Sequence, residues 1–131
     1  MKPRLAELSR AARAARRHAY APYSRFRVGA AVQAGPGVFT GVNVENASYG
    51  LTVCAERAAV AAMVTAGARR LDAVAVASGT TPPTPPCGMC LQTLAEFAGA
   101  ALPVLLVGAK GSRVETTLGA LLPMAFTKKF L

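Results

Sequence analysis

Three cysteines constrain the fold of this chain more strongly than any other residues. Cys87 and Cys90 form a C-x-x-C pair directly after a proline, and Cys54 lies well before them, two residues ahead of Glu56. Three thiolates suit Zn2+. A structural zinc site normally has four protein ligands, whereas a catalytic site has three and leaves one position for water. The cysteines therefore predict that two separate segments of the chain meet at one metal ion with an open position.

The hydrophobic pattern predicts alternating helices and strands along the chain. Apolar residues at helical spacing, with arginines on the other side, indicate a first helix over about 3–19, and Pro22 blocks its continuation. Two apolar-rich segments, 26–33 and 38–44, flank a Gly-Pro-Gly turn signal and predict a β-hairpin. The other predicted elements are a buried helix from Cys54 to about Gly67, a strand over Leu71–Ala77, a helix from about Gly88 to Ala98, strands over Pro103–Val107 and Arg113–Thr116, and a final helical turn over Leu118–Leu122 capped by Thr117.

The order of these elements predicts the fold class. Alternating strands and helices in the middle of the chain imply βαβ crossovers and a partly parallel sheet, and the opening hairpin makes that sheet mixed. We therefore predict an α/β fold of three layers, with a mixed five-stranded sheet between helices on both faces. A length of 131 residues suits one domain spanning 1–131.

The predicted elements place the cysteines at two helix starts. Cys87 and Cys90 point to one side of the first turn of their helix, and Cys54 begins another helix. Two helix N-termini that face one point gather partial positive charge, which lowers the pKa of thiols. Open α/β sheets bind ligands beyond the carboxyl ends of their strands. Both cysteine segments follow apolar strands, so we expect them to meet there.

Glu56 and Arg57 are the charged neighbours of the predicted metal. Glu56 is not needed as a ligand beside three thiolates, which leaves it free to move protons. One Zn2+ with three thiolates carries a net negative charge that weakens its Lewis acidity. Because Arg57 lies three residues after Cys54, we expect it to hydrogen-bond the thiolates and offset that charge. His18, the only histidine, lies far from the cysteines in sequence and would close the site if it were a fourth ligand.

Charge and hydropathy narrow the function classes. The net charge of +9, from 15 basic and 6 acidic residues, suggests affinity for polyanions. The basic cluster lacks the interleaved aromatic residues that stack on bases, so nucleic-acid binding is not favoured; it comprises Arg10, Arg13, Arg16 and Arg17. No apolar run reaches the length of a membrane span, and no secretory signal pattern is present. Metal-binding cysteines must stay reduced, so we expect a cytoplasmic protein.

Six segments match motifs of one known family, in family order and nearly end to end: 19–24, 26–31, 41–50, 54–57, 86–90 and 121–126. Cys-Ala-Glu and Pro-Cys-x-x-Cys correspond to the three-cysteine variant of the zinc deaminase signature. Asn43-Val44-Glu45-Asn46 is typical of deaminases that act on free nucleosides. The chain therefore resembles the small homotetrameric cytidine deaminases. The resemblance implies their three-layer fold, one Zn2+ per subunit bound by the three cysteines, and a homotetramer with active sites shared across subunits.

The resemblance also implies a reaction. Cytidine and 2′-deoxycytidine would be hydrolysed to uridine and 2′-deoxyuridine with release of ammonia, as in pyrimidine salvage. Zinc-activated hydroxide would attack C4 of the pyrimidine. Glu56 would carry the proton from water to N3 and then help to protonate the departing amine.

Several substrate contacts follow from the same resemblance. Asn43 and Glu45 would hydrogen-bond the ribose 3′-hydroxyl, and Phe26 would line the base pocket. The backbone carbonyl of Pro85 would accept a hydrogen bond from the exocyclic amine, and the backbone of Ala55 would contact the base. Three further residues would reach active sites across subunit boundaries: Ala47, Tyr49 and Phe126.

The chain departs from the family pattern at Leu91, where an arginine usually follows the second cysteine of the pair. A second cation near the thiolates is therefore missing. Either Arg57 carries more of the charge compensation, or catalysis is slower.

Alternative interpretations stay open at this point. Without the family match, the cysteines also suit buried free thiols, Asn43 and Glu45 suit turns, and Phe26 suits a strand core. A related zinc deaminase would act on a nucleoside antibiotic such as blasticidin S, or on cytosine in a polynucleotide. The basic charge of the chain motivates this second hypothesis. Asn43 and Glu45 argue against it, because this pair suits the hydroxyl of a free nucleoside. A non-catalytic zinc module that binds nucleic acid or protein predicts a fourth protein ligand and no function for Glu56.

Overall fold

A mixed five-stranded sheet forms the middle layer of the structure, a computed structural model that describes residues 1–131. The strand order is β2-β1-β3-β4-β5. β1 pairs antiparallel with both β2 and β3, β3 pairs parallel with β4, and β4 pairs antiparallel with β5. The predicted mixed sheet of five strands is confirmed. Its strands are β1 (Gly29–Ala34), β2 (Gly37–Val42), β3 (Ala73–Ala77), β4 (Pro103–Val107) and β5 (Arg113–Thr117).

Helices cover both faces of the sheet, as predicted. Because successive strand residues point to opposite faces, Val74 and Val76 of β3 join the core beneath α2 and α3, while Ala75 packs in the core beneath α1. None of the helices combines the length and the apolar character that crossing a membrane requires. The helices are α1 (Leu5–Arg16), α2 (Ala55–Thr65), α3 (Gly88–Phe97) and α4 (Leu118–Leu121).

The first helix ends earlier than the predicted boundary near residue 19, and long-range hydrogen bonds explain why. The Tyr20 amide donates to the Asn43 carbonyl at 3.0 Å, and the Glu45 amide donates to the Tyr20 carbonyl at 2.9 Å. This pairing requires extended backbone at Tyr20, which is incompatible with a continuing helix. At the other end of the chain, Thr117 caps α4 as predicted, accepting a hydrogen bond from the Ala120 amide at 3.2 Å.

Strand direction brings the two cysteine segments to the same edge of the sheet. β2 and β3 are both antiparallel to β1 and therefore run in the same direction. Their carboxyl ends lie on one edge, and the segments that leave them, 43–54 and 78–87, carry Cys54 and Cys87 to the starts of α2 and α3. The predicted meeting of these segments beyond the strand ends is confirmed.

Gly41 in β2 allows α2 to approach the sheet closely. A Cβ at this position would lie 2.5 Å from the Ala55 carbonyl oxygen and 2.8 Å from the Ala58 Cβ. We expect Gly41→Ala to lower the free energy of unfolding by about 1–3 kcal/mol, because the start of α2 must move outward. Chemical denaturation of the zinc-loaded protein measures this. Gly99→Ala is the control, since nothing lies within 4 Å of a Cβ added there. Equal losses in both variants would contradict the packing argument.

Candidate metal centre and active site

The three cysteine sulfurs converge at one point. Cys54 is the N-cap of α2, Cys87 is the N-cap of α3, and Cys90 lies in the first turn of α3. The Sγ atoms of Cys54 and Cys87 are 3.9 Å apart, those of Cys87 and Cys90 are 3.6 Å apart, and all three lie within 4.8 Å of one another. A tetrahedral zinc with Zn–S bonds of about 2.3 Å separates two sulfurs by about 3.8 Å. Two of the three sulfur separations match this value and the third lies within 4.8 Å, so the three donors are placed to hold Zn2+.

No fourth protein ligand joins the three sulfurs. The group contains no histidine and no carboxylate, and His18 is exposed. Three thiolates leave one position of a tetrahedral zinc for water. The fourth ligand required by a non-catalytic zinc module is therefore not found.

Burial and helix geometry affect the three thiols differently. Burial raises the pKa of the Cys54 and Cys90 thiols. Burial alone would also raise the pKa of Cys87, but the Cys90 backbone amide and the neighbouring thiols outweigh it, and the pKa of Cys87 is lowered. The predicted effect of a helix start on thiol pKa therefore holds at Cys87 only. A bound cation deprotonates coordinating thiols outright, which overrides these differences.

Glu56 lies in the first turn of α2 and faces the metal site. Its side chain is 5% exposed, and it lines the same cavity as the three cysteines. Burial raises the pKa of its carboxyl group, although the Cys90 thiol and the Arg57 charge favour the ionised form. A carboxyl group whose pKa is moved toward neutrality is suited to both accepting and releasing a proton.

Arg57 has a different hydrogen-bond partner from the predicted one. Its Nη2 donates to the Thr52 carbonyl at 2.9 Å, its Nε is buried without a partner, and no hydrogen bond joins it to a cysteine sulfur. The guanidinium reaches back past the start of α2 to the preceding loop, which supplies a free carbonyl. The predicted direct bond to the thiolates is therefore corrected, while the positive charge stays close enough to favour ionised Glu56.

Leu91, the position that the sequence resemblance marked as a departure from arginine, belongs to the apolar core. Its side chain is 7% exposed and packs in the same cluster as Leu94. The first turn of α3 therefore supplies no cation to the metal site.

Asn43 holds the segment before β1 in place with its side chain. Its Oδ1 accepts from the Val28 amide at 2.9 Å, and its Nδ2 donates to the Phe26 carbonyl at 2.7 Å. The Asn43 backbone amide also donates to the Val28 carbonyl at 3.3 Å. Residues 26–28 are thus attached to Asn43 mainly through its side chain, and β1 begins at Gly29 and not at the predicted residue 26. The amide of Asn43 keeps one N–H and one lone pair for a ligand.

Glu45 is fixed as an ionised carboxylate at the edge of the same cavity. It accepts from the amides of Tyr23 at 3.0 Å and Ser24 at 3.1 Å, and from the Ser24 hydroxyl. The Ser24 hydroxyl is the main cause of the lowered pKa of this carboxyl group. Sequence reasoning missed Ser24 as a positioning residue. The available signal was its place in the short turn after Pro22, where backbone amides lack partners.

One cavity of about 260 Å3 brings together most of the predicted site residues. This volume is at the small end for ligand sites. A larger surface cavity, of about 820 Å3, lies near Arg69 and Lys129 and contains none of the cysteines. The predicted residues that line the smaller cavity are Phe26, Asn43, Glu45, Cys54, Ala55, Glu56, Pro85, Cys87 and Cys90.

Three predicted substrate-contacting residues do not line this cavity. Ala47 is exposed, and the side chains of Tyr49 and Phe126 are 77% and 61% exposed. Phe126 is nevertheless held in position, because the Gln92 side-chain amide donates to its carbonyl at 2.7 Å. All three are exposed, and Tyr49 lines an adjoining cavity with Glu45 and Thr52, which also line the catalytic cavity.

Comparisons with known proteins agree on one family. Residues 3–106 match the family model described as cytidine and deoxycytidylate deaminase zinc-binding region. The cytidine deaminase of Sporosarcina psychrophila is 48% identical over 118 residues, which cover 89% of this chain and 87% of the relative. A crystal structure of cytidine deaminase from Burkholderia pseudomallei superimposes with a TM-score of 0.88 at 48% identity, covering 95% of this chain and 100% of that chain. The blasticidin-S deaminase of Bacillus cereus is 26% identical over 114 residues, covering 80% of each.

Proposed function

Because this chain belongs to the cytidine and deoxycytidylate deaminase family, we propose that it hydrolyses cytidine to uridine with release of ammonia. The enzyme is a zinc-dependent hydrolase. The observation that carries the proposal is the group of three sulfurs without a fourth ligand, in one cavity with buried Glu56. We further propose that 2′-deoxycytidine is accepted, that residues 1–131 form a single deaminase domain, and that the enzyme serves pyrimidine salvage in the cytoplasm.

The chemistry divides between the metal and one carboxyl group. Cys54, Cys87 and Cys90 would hold Zn2+, which supplies the Lewis acidity that activates water at its open position. Glu56 accepts a proton from the attacking water and delivers it to N3 of the pyrimidine. Glu56 then takes the remaining proton from the new C4 hydroxyl and passes it to the amine, so that the C4–N bond breaks as the C4 carbonyl forms, and cytidine and water become uridine and ammonia.

The remaining cavity residues orient the nucleoside. Asn43 has one unused N–H, which suits donation to the ribose 3′-hydroxyl oxygen. Ionised Glu45 has unused lone pairs, which suit acceptance from the same hydroxyl. Phe26 supplies an apolar surface to the base. Ala55 lies in the first turn of α2, where backbone N–H groups have no partner within the helix. Pro85 lines the cavity, and its carbonyl is proposed to accept a hydrogen bond from the exocyclic amine.

A substrate comparison tests this function. Zinc-loaded protein is given cytidine, 2′-deoxycytidine, blasticidin S or a cytosine-containing RNA oligonucleotide, and deamination is followed by ultraviolet absorbance and by released ammonia. We expect the two nucleosides to be turned over with the highest kcat/KM. No loss of cytidine absorbance, or a preference for the oligonucleotide or the antibiotic, would overturn the proposal.

Arg57 is proposed to offset the negative charge of the zinc–thiolate group from beyond direct hydrogen-bond contact. We expect Arg57→Gln to lower kcat about tenfold or more while zinc stays bound. The reason is that the zinc–thiolate group loses the positive charge that α2 places near it. Steady-state kinetics and metal analysis measure the two effects. Arg69→Gln is the control; Arg69 lies beyond the end of α2 and bonds only backbone carbonyls. Unchanged turnover in Arg57→Gln would end the charge-compensation proposal.

We propose that the enzyme is a homotetramer in which Ala47, Tyr49 and Phe126 complete the active sites of neighbouring subunits. Their exposure in the single chain supports this. We expect Phe126→Ala to lower kcat/KM about tenfold, because the nucleoside loses part of its apolar enclosure.

Mixed assembly distinguishes shared sites from local damage. Phe126→Ala and Glu56→Gln subunits are co-expressed, and sedimentation verifies the assembly. If sites are shared, an intact Glu56 in one subunit meets an intact Phe126 from another, and activity above that of either variant returns. A fully active monomer, or no recovery in verified mixed tetramers, would refute the proposal.

A further inference from the structure

A third cavity lies on the α1 side of the sheet, behind the loop that carries the zinc ligand Cys87. Its volume is about 480 Å3. It opens at the carboxyl ends of β3 and β4, which are parallel and adjacent. This is the edge at which open α/β sheets bind ligands. Ser78 is the one residue that lines both this cavity and the catalytic cavity.

Three positively charged side chains converge on this cavity from two parts of the chain. Arg13 and Arg16 come from the last turn of α1, and Lys110 comes from the connection between β4 and β5. No acidic residue lines the cavity. The ion pairs of the structure lie elsewhere, at Met1–Asp72, Arg4–Glu7 and Arg113–Glu115. The three cations therefore face one another without a balancing carboxylate.

The guanidinium of Arg16 is held at the cavity wall. Its Nε donates to the Arg27 carbonyl at 2.9 Å. Its Nη2 lies so close to Gly79 that a Cβ added at residue 79 would collide with it. The fixed position keeps the other N–H donors of this guanidinium available to a ligand, with little side-chain freedom left to lose on binding.

Two further features of this cavity favour an anion as its ligand. The exposed Gly79 amide has no acceptor within the chain, so a free backbone donor lies among the three cations. The presence of Arg13 and Arg16 has another explanation, because basic residues in the last turn of a helix interact favourably with its carbonyl end. Lys110 is not on a helix end of this kind, so its presence in the cavity needs a separate reason. Lys110 has a left-handed backbone conformation, with φ 55° and ψ 35°, and lines the same cavity.

We propose that this cavity binds the phosphate group of a phosphate monoester. Arginine forks and a lysine ammonium are the groups that proteins use for phosphate oxygens. Three cations match a phosphate dianion better than a singly charged carboxylate. The volume exceeds what phosphate alone fills, which leaves room for the sugar of a nucleoside monophosphate.

Calorimetric titration of the zinc-loaded protein at constant ionic strength tests the site. The probes are inorganic phosphate, uridine 5′-monophosphate, uridine and a single-stranded RNA oligonucleotide. We expect one phosphate per chain with a dissociation constant of about 1 mM or lower. Tighter binding of the nucleotide than of both phosphate and uridine supports a monoester ligand, whereas equal binding of phosphate and nucleotide would overturn the monoester assignment in favour of free phosphate. Backbone amide resonances of Gly79 and Lys110 should shift on binding.

Matched charge variants separate the site from the general basic surface. Arg13→Gln combined with Lys110→Gln should weaken phosphate binding about tenfold or more, because two of three cations are lost. Arg10→Gln combined with Lys2→Gln removes the same charge from exposed positions outside the cavity and should change binding less than about twofold. Arg16→Lys, which keeps the charge but not the fork, should weaken binding as a second variant. No saturable phosphate binding, equal weakening in both double variants, or RNA binding that both double variants weaken equally would overturn the proposal.

Discussion

Glu56→Gln should reduce kcat for cytidine by about 10²–10⁴-fold, the range expected when a positioned general acid–base group is lost. Apart from the cysteines, Glu56 and Glu45 are the titratable residues that line the catalytic cavity. Glu45 is already committed to Tyr23 and Ser24. Glutamine keeps the size of the Glu56 side chain and its hydrogen-bonding reach but cannot carry a proton. The loss should therefore fall on kcat, with a smaller change in KM.

The comparison with a second glutamate makes this result specific. Glu96→Gln removes an exposed carboxylate from α3, away from the cysteines, and should leave kcat within about twofold of the unmodified enzyme. Metal analysis should find zinc in both variants, because Glu56 does not join the group of ligands. Full activity in Glu56→Gln, or loss of zinc from it, would show that Glu56 does not serve as the proton carrier.

Loss of one thiolate should remove both zinc and activity. Cys87 is the most suitable position because it is exposed, so Cys87→Ala leaves no cavity in the core. We expect turnover to fall to the background rate, since the Lewis acid and its activated water are lost together. Treatment of the unmodified enzyme with a chelator should have the same effect, and one equivalent of Zn2+ per chain should restore activity.

The metal should also stabilise the fold, because it joins the starts of α2 and α3. Thermal denaturation should therefore show a lower Tm for the metal-free protein and for Cys87→Ala. Met89→Ala is the matched control, since Met89 lies between the two cysteines and its side chain is 61% exposed. It should retain zinc and most of the activity. Activity that survives complete metal removal, or a zinc site with four protein ligands, would contradict the proposed centre.

Local patterns in the sequence were sufficient for the element order and for the expectation that the three cysteines meet at one point. Cys87 and Cys90 lie three residues apart at a helix start, and this spacing alone places both sulfurs on one side of the first turn. The cap at Thr117 and the hairpin before Gly37 likewise depend only on neighbouring residues. Motif resemblance then supplied Asn43 and Glu45, which the cavity contains.

Contacts between distant segments could not be predicted in this way. The sequence indicated that Arg57 lies near the metal, but the choice of the Thr52 carbonyl over a thiolate depended on which acceptors the loop presents. The hydrogen bond from the Ser24 amide to the Glu45 carboxylate likewise joins two segments that are distant in the sequence. Each of these side chains had several donors or acceptors within reach, and only the folded arrangement left one free and correctly oriented.

The sequence by itself therefore determined the α/β class, the convergence of the three cysteines and the position of Glu56 beside them, because helix and strand periodicity and motif spacing act over a few residues. Only the tertiary structure decided that α1 stops at Arg16, that the Asn43 side chain bonds the segment before β1, and that Lys110 lines one cavity with two arginines of α1. Those outcomes depend on hydrogen bonds and charges from segments far apart in the chain, whose competition is resolved only when the sheet brings them together.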